Sequence, residues 1–248
     1  MQKRKAYISA LLVAFVVIFI PNIALAESLT IDFGSGGPSN AGRVIQLVLL
    51  LTVLTLAPSI LMMMTSFTRI VVVFSFLRSA MGIQSAPPNS VIISLALFLT
   101  MFIMAPVLEK SYKDGLEPYM AQEIAEQEAF DKTMAPLHGF MMKHVRDKDL
   151  RLFMRMAKIE DQDIAPEDTP FRVLIPAFVI SELRRAFEIG FLIFLPFLIM
   201  DMVVASVLMS MGMMMLPPIL ISLPFKLVFF VLIDGWYLVT GSLVESFL

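Results

Sequence analysis

The chain has 248 residues, 58% of them hydrophobic and 16% charged, whereas a soluble domain carries about 45–50% apolar and about 25% charged residues. That apolar excess cannot be hidden in one small core, which excludes an ordinary soluble globule. A net charge of −2 excludes a basic field for nucleic acid, and the absence of cysteine excludes disulfides, thiolate metal sites and a cysteine nucleophile.

Residues 1–26 read as a secretory signal peptide: Lys3, Arg4 and Lys5 form a basic start, Tyr7 to Ile20 an apolar stretch, and Ala24-Leu25-Ala26 a small-x-small cleavage pattern placing Ala24 and Ala26 at the cut. An uncleaved first transmembrane helix is the alternative, and the apolar run is short for a span of about 20 residues. Cleavage would leave the mature amino terminus in the periplasm. Residues 27–42 are polar and contain Gly34-Ser35-Gly36-Gly37-Pro38, a flexible periplasmic arm without the Gly-Lys-Ser/Thr continuation of a phosphate loop.

Residues 43–108 form a first apolar helical hairpin region. Arg43 to Met64 is apolar apart from Gln46, Thr52, Thr55 and Ser59, with Pro58 expected to bend it. Phe67 to Met81 is helical but carries Arg69 and Arg78; Pro87-Pro88 then breaks the chain, and Asn89 is expected to cap a run from Val91 to Leu108. Residues 109–170 hold 14 acidic and 9 basic residues among scattered apolar positions, the pattern of an amphipathic, water-facing helical domain. With an outward terminus and four apolar crossings in the chain, that domain is expected in the periplasm. Residues 171–248 form a second apolar helical region: Phe171 to Met200 is interrupted by Glu182, Arg184, Arg185 and Glu188 and kinked at Pro196, Met202 to Met215 leads into Leu216-Pro217-Pro218, and Ile219 to Leu248 embeds Lys226 and Asp234. The fold class is therefore all-α, an integral membrane protein of helical hairpins with a helical periplasmic domain.

A charge facing lipid near the bilayer centre costs roughly 2.5–3.5 kcal/mol on insertion scales. Arg69, Arg78, Glu182, Arg184, Arg185, Glu188, Asp201, Lys226 and Asp234 would together cost on the order of 20 kcal/mol if all faced lipid. They must be paired, wet or buried between subunits. On a helix Glu182, Arg184, Arg185 and Glu188 fall within an arc of about 160°, and Glu182 with Arg185, and Arg184 with Glu188, sit at the spacings that let side chains meet. Such a face serves as an ion-pair surface within one subunit, as a contact between subunits, or as a proton relay; subunit contact is the reading taken, for these four and for Lys226 and Asp234. Lys226 and Asp234 lie about 80° apart on a helix, so each needs a partner elsewhere.

Enzyme readings find no support. His-Glu-x-x-His and Gly-x-Ser-x-Gly are absent, Asp234-Gly235 lacks the context of an intramembrane aspartyl protease, and His138 and His144 lie outside the apolar segments. Neither a cofactor nor a metal is expected.

Methionine occurs 20 times, with one run at Met62-Met63-Met64 and another at Met209, Met211, Met213, Met214 and Met215 ahead of Pro217-Pro218. Three adjacent residues of a helix point in three directions, whereas on a tight loop they can project together, and a flexible thioether re-packs around varied shapes. The first run lies within helical periodicity and reads as packing. The second, at a corner formed by Gly212, Pro217 and Pro218, suits a seal that closes and yields, with plain packing beside a helix end as the alternative.

Met63-Met64-Thr65-Ser66-Phe67-Thr68-Arg69-Ile70, Pro87-Pro88-Asn89 with Leu95 to Thr100, Phe171 to Phe178, Ser181-Glu182-Leu183, Gly212 to Pro218, Leu223-Pro224-Phe225-Lys226 and Asp234-Gly235-Trp236 together resemble the FliP family, from about Arg43 to the end of the chain. The resemblance implies a subunit of the flagellar type III export gate of the bacterial inner membrane, within the flagellar basal body. Such a subunit assembles with copies of itself and with FliQ and FliR into a closed helical pore passing unfolded flagellar substrates, with FlhA and FlhB beneath. It implies that Met213, Met214 and Met215 form a gasket inside that pore. A virulence injectisome gate subunit and a small-ion channel or secondary transporter are the alternatives.

Overall fold

A computed structural model of the protein describes residues 40–83, 86–159, 165, 168–213 and 216–247. The expected signal peptide, the arm up to residue 39, Met214 and Met215 lie outside the described residues. The chain divides into two units, Met1–Leu51 and Thr52–Leu248, the boundary falling inside helix α1, Asn40–Met63. The described part of the first unit, residues 40–51, is helical from Asn40, three residues ahead of the expected start, and exposes Ile45, Leu49 and Leu51.

In the second unit the rest of α1 is followed by α2 (Phe67–Ala80), α3 (Asn89–Ser111), a π-turn (Tyr112–Leu116), α4 (Glu117–Met120), α5 (Glu126–His144), α6 (Asp147–Met156), α7 (Phe171–Ser210), α8 (Pro218–Leu232) and α9 (Gly235–Glu245). No strand occurs among the described residues, so the protein is all-α, and its long apolar helices make it a membrane protein. Two helical stretches among the described residues are long and apolar enough to cross a membrane, Asn89–Met120 and Phe171–Ser210; α8 and α9, bent by 62° at their junction, form a third if they act as one span. Four crossings were expected. The difference arises partly because the runs Phe171–Met200 and Met202–Met215, read separately in the sequence, belong to one helix up to Ser210: α7 continues for 40 residues through Pro176, Pro196 and Asp201, each proline removing only one backbone donor from a ladder the neighbouring turns maintain.

Helix α2 is buried along a stripe at three- and four-residue spacing, Ile70, Val73, Phe74 and Leu77, which makes one apolar face of a helix. That face lies along α7, where Val173, Leu174, Ala177, Phe178 and Ala186 are buried in return. Small residues let the two axes approach. At Gly190 an added Cβ would stand 2.5 Å from the Phe76 ring, so only glycine admits that ring. Helix α5 packs against α3 and the π-turn, where a Cβ at Gly115 would come within 2.7 Å of the Thr133 backbone nitrogen. The chain closes over this core through Phe247, whose ring stacks 6.1 Å from that of Phe140.

Local chemistry ends the helices. After α7, Gly212 adopts φ +75°, its N–H bonding Met209 O while the Met213 N–H reaches Leu208 O at 3.0 Å, the paired bonds of a Schellman cap. Pro218 then starts α8 at its first position, where the missing donor is harmless. At the other corner Asn89 is not the expected cap: Pro88 holds the N-cap position, and the Asn89 side-chain oxygen accepts a hydrogen bond from Arg78 Nη1. The arginine competes successfully for it because its fork needs an acceptor in this apolar region.

Lys158 closes α6 with the same Schellman bonds, Lys158 N–H to Arg155 O and Ile159 N–H to Met154 O, but it does so as a non-glycine residue at φ +57°. Lys158→Gly should therefore raise stability by about 0.5–1 kcal/mol, the relief of left-handed strain net of glycine's greater entropy loss. A thermal unfolding midpoint in detergent that stays the same or falls would contradict this account of the cap.

Candidate functional site

The embedded charges sort by depth. Arg69 of α2 and Glu182 of α7 are both fully buried, at 1% and 0% exposure, among the apolar stripes that join the two helices. Arg69 Nε donates to Glu182 Oε2 at 2.7 Å and Nη2 donates to Oε1, a bidentate fork that engages both carboxylate oxygens. The remaining nitrogen, Nη1, donates to the Ser246 hydroxyl at 2.8 Å and to the Ser246 carbonyl at 3.2 Å, and the guanidinium carbon stands 3.7 Å from the centroid of the Phe247 ring. Each nitrogen of the guanidinium and each oxygen of the carboxylate thus has a hydrogen bond, the condition under which two buried charges are tolerated. The sequence spacing pointed to Arg185 as the partner of Glu182. Arg185 is half-buried, and the guanidinium from a helix 113 positions away takes the carboxylate instead, because the facing helix can offer a fork in plane with it.

At Ser181, the residue before Glu182, a second polar knot joins α6 to α7. The Ser181 hydroxyl donates to Asp149 Oδ2 at 2.7 Å and accepts the Arg146 backbone N–H at 3.1 Å, while Arg146 grips the same carboxylate through Nε and Nη2 at 2.8 and 2.9 Å. The Arg146 guanidinium holds the Asp149 carboxyl below the usual carboxylate range, assisted by the Ser181 hydroxyl and opposed by burial. Arg184 and Glu188 form the expected i,i+4 pair, Arg184 Nε to Glu188 Oε1 at 2.8 Å, on the exposed side of α7 with more than half of each side chain in contact with solvent.

Lys226 finds its partner one helix back. Its ammonium donates to Asp201 Oδ2 at 2.6 Å and to the Ala80 carbonyl at 3.3 Å, and the Ser222 hydroxyl donates to the other oxygen of Asp201. Lys226 is buried and Asp201 about one-third exposed. Asp234 is exposed and stands at φ +51° between α8 and α9, a left-handed position that Asp tolerates better than most residues. In the methionine corner Met213 is 45% exposed just beyond the Gly212 turn, Pro217 and Pro218 open α8, and Met214 and Met215 lie outside the described residues.

Sequence reasoning missed Ser181, Ser246, Phe247 and Asp149 as members of these networks. Arg69 and Asp201 stood out as charges in apolar runs, but serines and a phenylalanine carry no such signal. Among the described residues no cluster of three His, Asp or Glu is close enough to hold a metal ion.

The FliP family profile matches residues 50–243. The flagellar biosynthetic protein FliP of Caulobacter vibrioides is 57% identical over 245 residues, covering 98% of this chain and 91% of that protein. The FliP of Bacillus subtilis is 57% identical over 215 residues, covering 87% and 97%, and that of Aquifex aeolicus 52% identical over 212 residues, covering 85% and 89%.

Truncating one partner of a buried pair leaves the other uncompensated and costs about 3–5 kcal/mol, whereas an exposed pair contributes about 0–1 kcal/mol. Glu182→Ala should therefore lower the yield and unfolding midpoint of the detergent-solubilised subunit sharply, with Arg184→Ala nearly silent in the same assay. Equal midpoints for the two variants would remove Arg69–Glu182 from its place at the centre of the fold.

Proposed function

The chain belongs to the FliP family, a component of the flagellar export apparatus, and from that premise we propose that it is a pore-forming subunit of the flagellar type III export gate in the bacterial inner membrane. In this reading copies of the chain assemble with one another and with FliQ and FliR, above FlhA and FlhB, and unfolded flagellar substrates pass through the ring they form. The signal peptide is cleaved after Ala26, and residues 109–170 stand in the periplasm.

The observation that carries the reading is the corner at the end of α7. A 40-residue helix stops at Ser210 and the next starts at Pro218, and the Gly212 cap delivers Met213 outward. Met213, Met214 and Met215 then face the pore axis and close it, since adjacent thioethers on a turn can project together where a helix would scatter them.

Subunit contact is supported by a stripe on α7. Arg184, Phe187, Glu188 and Phe191 recur at three- and four-residue spacing and are all exposed, an ion pair flanked by two aromatic rings, of which Phe187 meets Phe76 edge-on at 4.9 Å and still keeps more than half of its surface open. Glu182 and Lys226 are held by partners within the subunit, so the contact proposal rests on Arg184, Arg185 and Glu188, with Asp234 at the α8–α9 bend. The internal pairing also weakens the small-ion channel reading, because the two deepest cations, Arg69 and Lys226, are each neutralised by a carboxylate.

Shortening each gasket methionine to alanine removes three heavy atoms per residue, multiplied around the ring. The Met213→Ala/Met214→Ala/Met215→Ala variant should assemble and export but admit small ions or dyes into intact cells, and single leucine replacements should leak less. Permeability equal to wild type in a fully assembled triple variant would show that these residues do not form the seal.

A further inference from the structure

His144 ends α5 and is buried at 4% exposure, with its ring against Phe140 at 4.6 Å and Phe247 at 5.4 Å between centroids. Both ring nitrogens face carbonyl oxygens: Nδ1 stands 2.8 Å from Phe140 O and Nε2 stands 3.3 Å from Phe247 O. A neutral imidazole has one N–H. The short contact identifies Nδ1 as the donor, which leaves the Nε2 lone pair facing Phe247 O at a distance beyond the usual range for such a bond. The ring therefore holds Phe247 by aromatic packing, and Arg69 holds the same residue from the other side through its cation–π contact and its bonds to Ser246.

The charges around this ring favour its neutral form. Arg69 of α2 and Lys143 of α5 are the charged groups that act on it, and both are cations. Glu182 of α7 is engaged by Arg69, and Asp149 of α6 is engaged by Arg146. Burial first, and then these two cations, hold the imidazole below its ordinary value near 6.5, with the two carbonyls opposing. Protonation would create a second donor for Phe247 O, but it would also place a charge in an apolar pocket beside a guanidinium whose own carboxylate, Glu182, is already engaged.

We propose that His144 is the protonation-sensitive half of a latch that holds Ser246–Phe247 against the central helices, closed while the imidazole is neutral and opened when it gains a proton. The sign follows from linkage: the unfolded or unlatched chain binds the proton more tightly than the latched one, so the latch is intact above about pH 6.5 and weakens as pH falls below it. Opening uncovers the Phe140 ring and removes the Ser246 acceptors from Arg69, so acid would loosen the contact between the end of the chain and the buried ion pair. A pH difference between the two sides of a membrane is the kind of signal that such a latch reads.

The test is amide hydrogen exchange of residues 243–247 in the full chain in detergent from pH 7.5 to 5.5, corrected for intrinsic rates, beside the fluorescence of Trp236. That residue is the protein's single tryptophan and packs on Phe230 at 5.4 Å near the start of α9. The wild type should exchange several-fold faster at the acidic end, and His144→Gln, which keeps one donor and cannot be charged in this range, should show a flat profile. Protection that is constant or stronger in acid in the wild type overturns the proposal, as does an acid response of the same size in His144→Gln. Should that variant not fold, His144→Asn takes its place, and the direction of the wild-type profile decides in either case. Unchanged Trp236 emission across the range localises the opening to the segment after α9, whereas a shift in wild-type emission that coincides with the exchange extends it to the helix; loss of Trp236 packing without faster exchange counts against the latch.

Discussion

Two opposite charges inside an apolar helix pair constrain this molecule more than any other feature. Moving a carboxylate and a guanidinium out of water is costly, and the attraction between them offsets that cost only if the remaining donors and acceptors are also satisfied. The requirement reaches well beyond Arg69 and Glu182. It brings Ser246 and Phe247 back from the far end of the chain to complete the guanidinium shell, and so draws α9 towards the core. Phe247 in turn packs on Phe140 and His144, which joins the charged domain between the apolar regions to the ion pair. Four segments distant in sequence therefore share one electrostatic condition.

The outer surface obeys a different constraint. Phe98, Met101 and Phe102 of α3 and Phe191, Leu192 and Met202 of α7 are all more than 60% exposed, a density of apolar side chains that water does not tolerate over so large an area. Lipid or neighbouring subunits must cover them. The exposed Arg184–Glu188 pair on the same helix sits poorly in hydrocarbon, in keeping with the protein contact proposed for that part of α7. Charge is thus buried inside the subunit while apolar surface is left outside it.

The methionine corner combines rigidity and softness. Glycine in the left-handed region and a proline at the first position of α8 determine where the helices stop and start, so the turn is set by backbone geometry rather than by side-chain packing. The residues it presents are the most adaptable apolar side chains available.

By itself the sequence determined the class, the helix punctuation and the family. Long apolar runs required a membrane protein, and Pro87-Pro88, Gly212 and Pro217-Pro218 marked the breaks because turn and cap preferences are local. The motifs from Met63 to Trp236 were specific enough to identify the family before any coordinate. Only the tertiary structure decided which charges meet. Helical spacing correctly paired Arg184 with Glu188, four residues apart on one surface, but it could not tell that Glu182 turns inward to Arg69, that Lys226 reaches Asp201, or that Ser181 bridges to Asp149. Periodicity along one helix specifies the face a residue occupies; the identity of the opposite helix depends on long-range packing, which no local pattern encodes. For the same reason Asn89, a good cap by residue type, serves as an acceptor for Arg78, and His144, a histidine in a charged stretch with no motif around it, lies buried against Phe247.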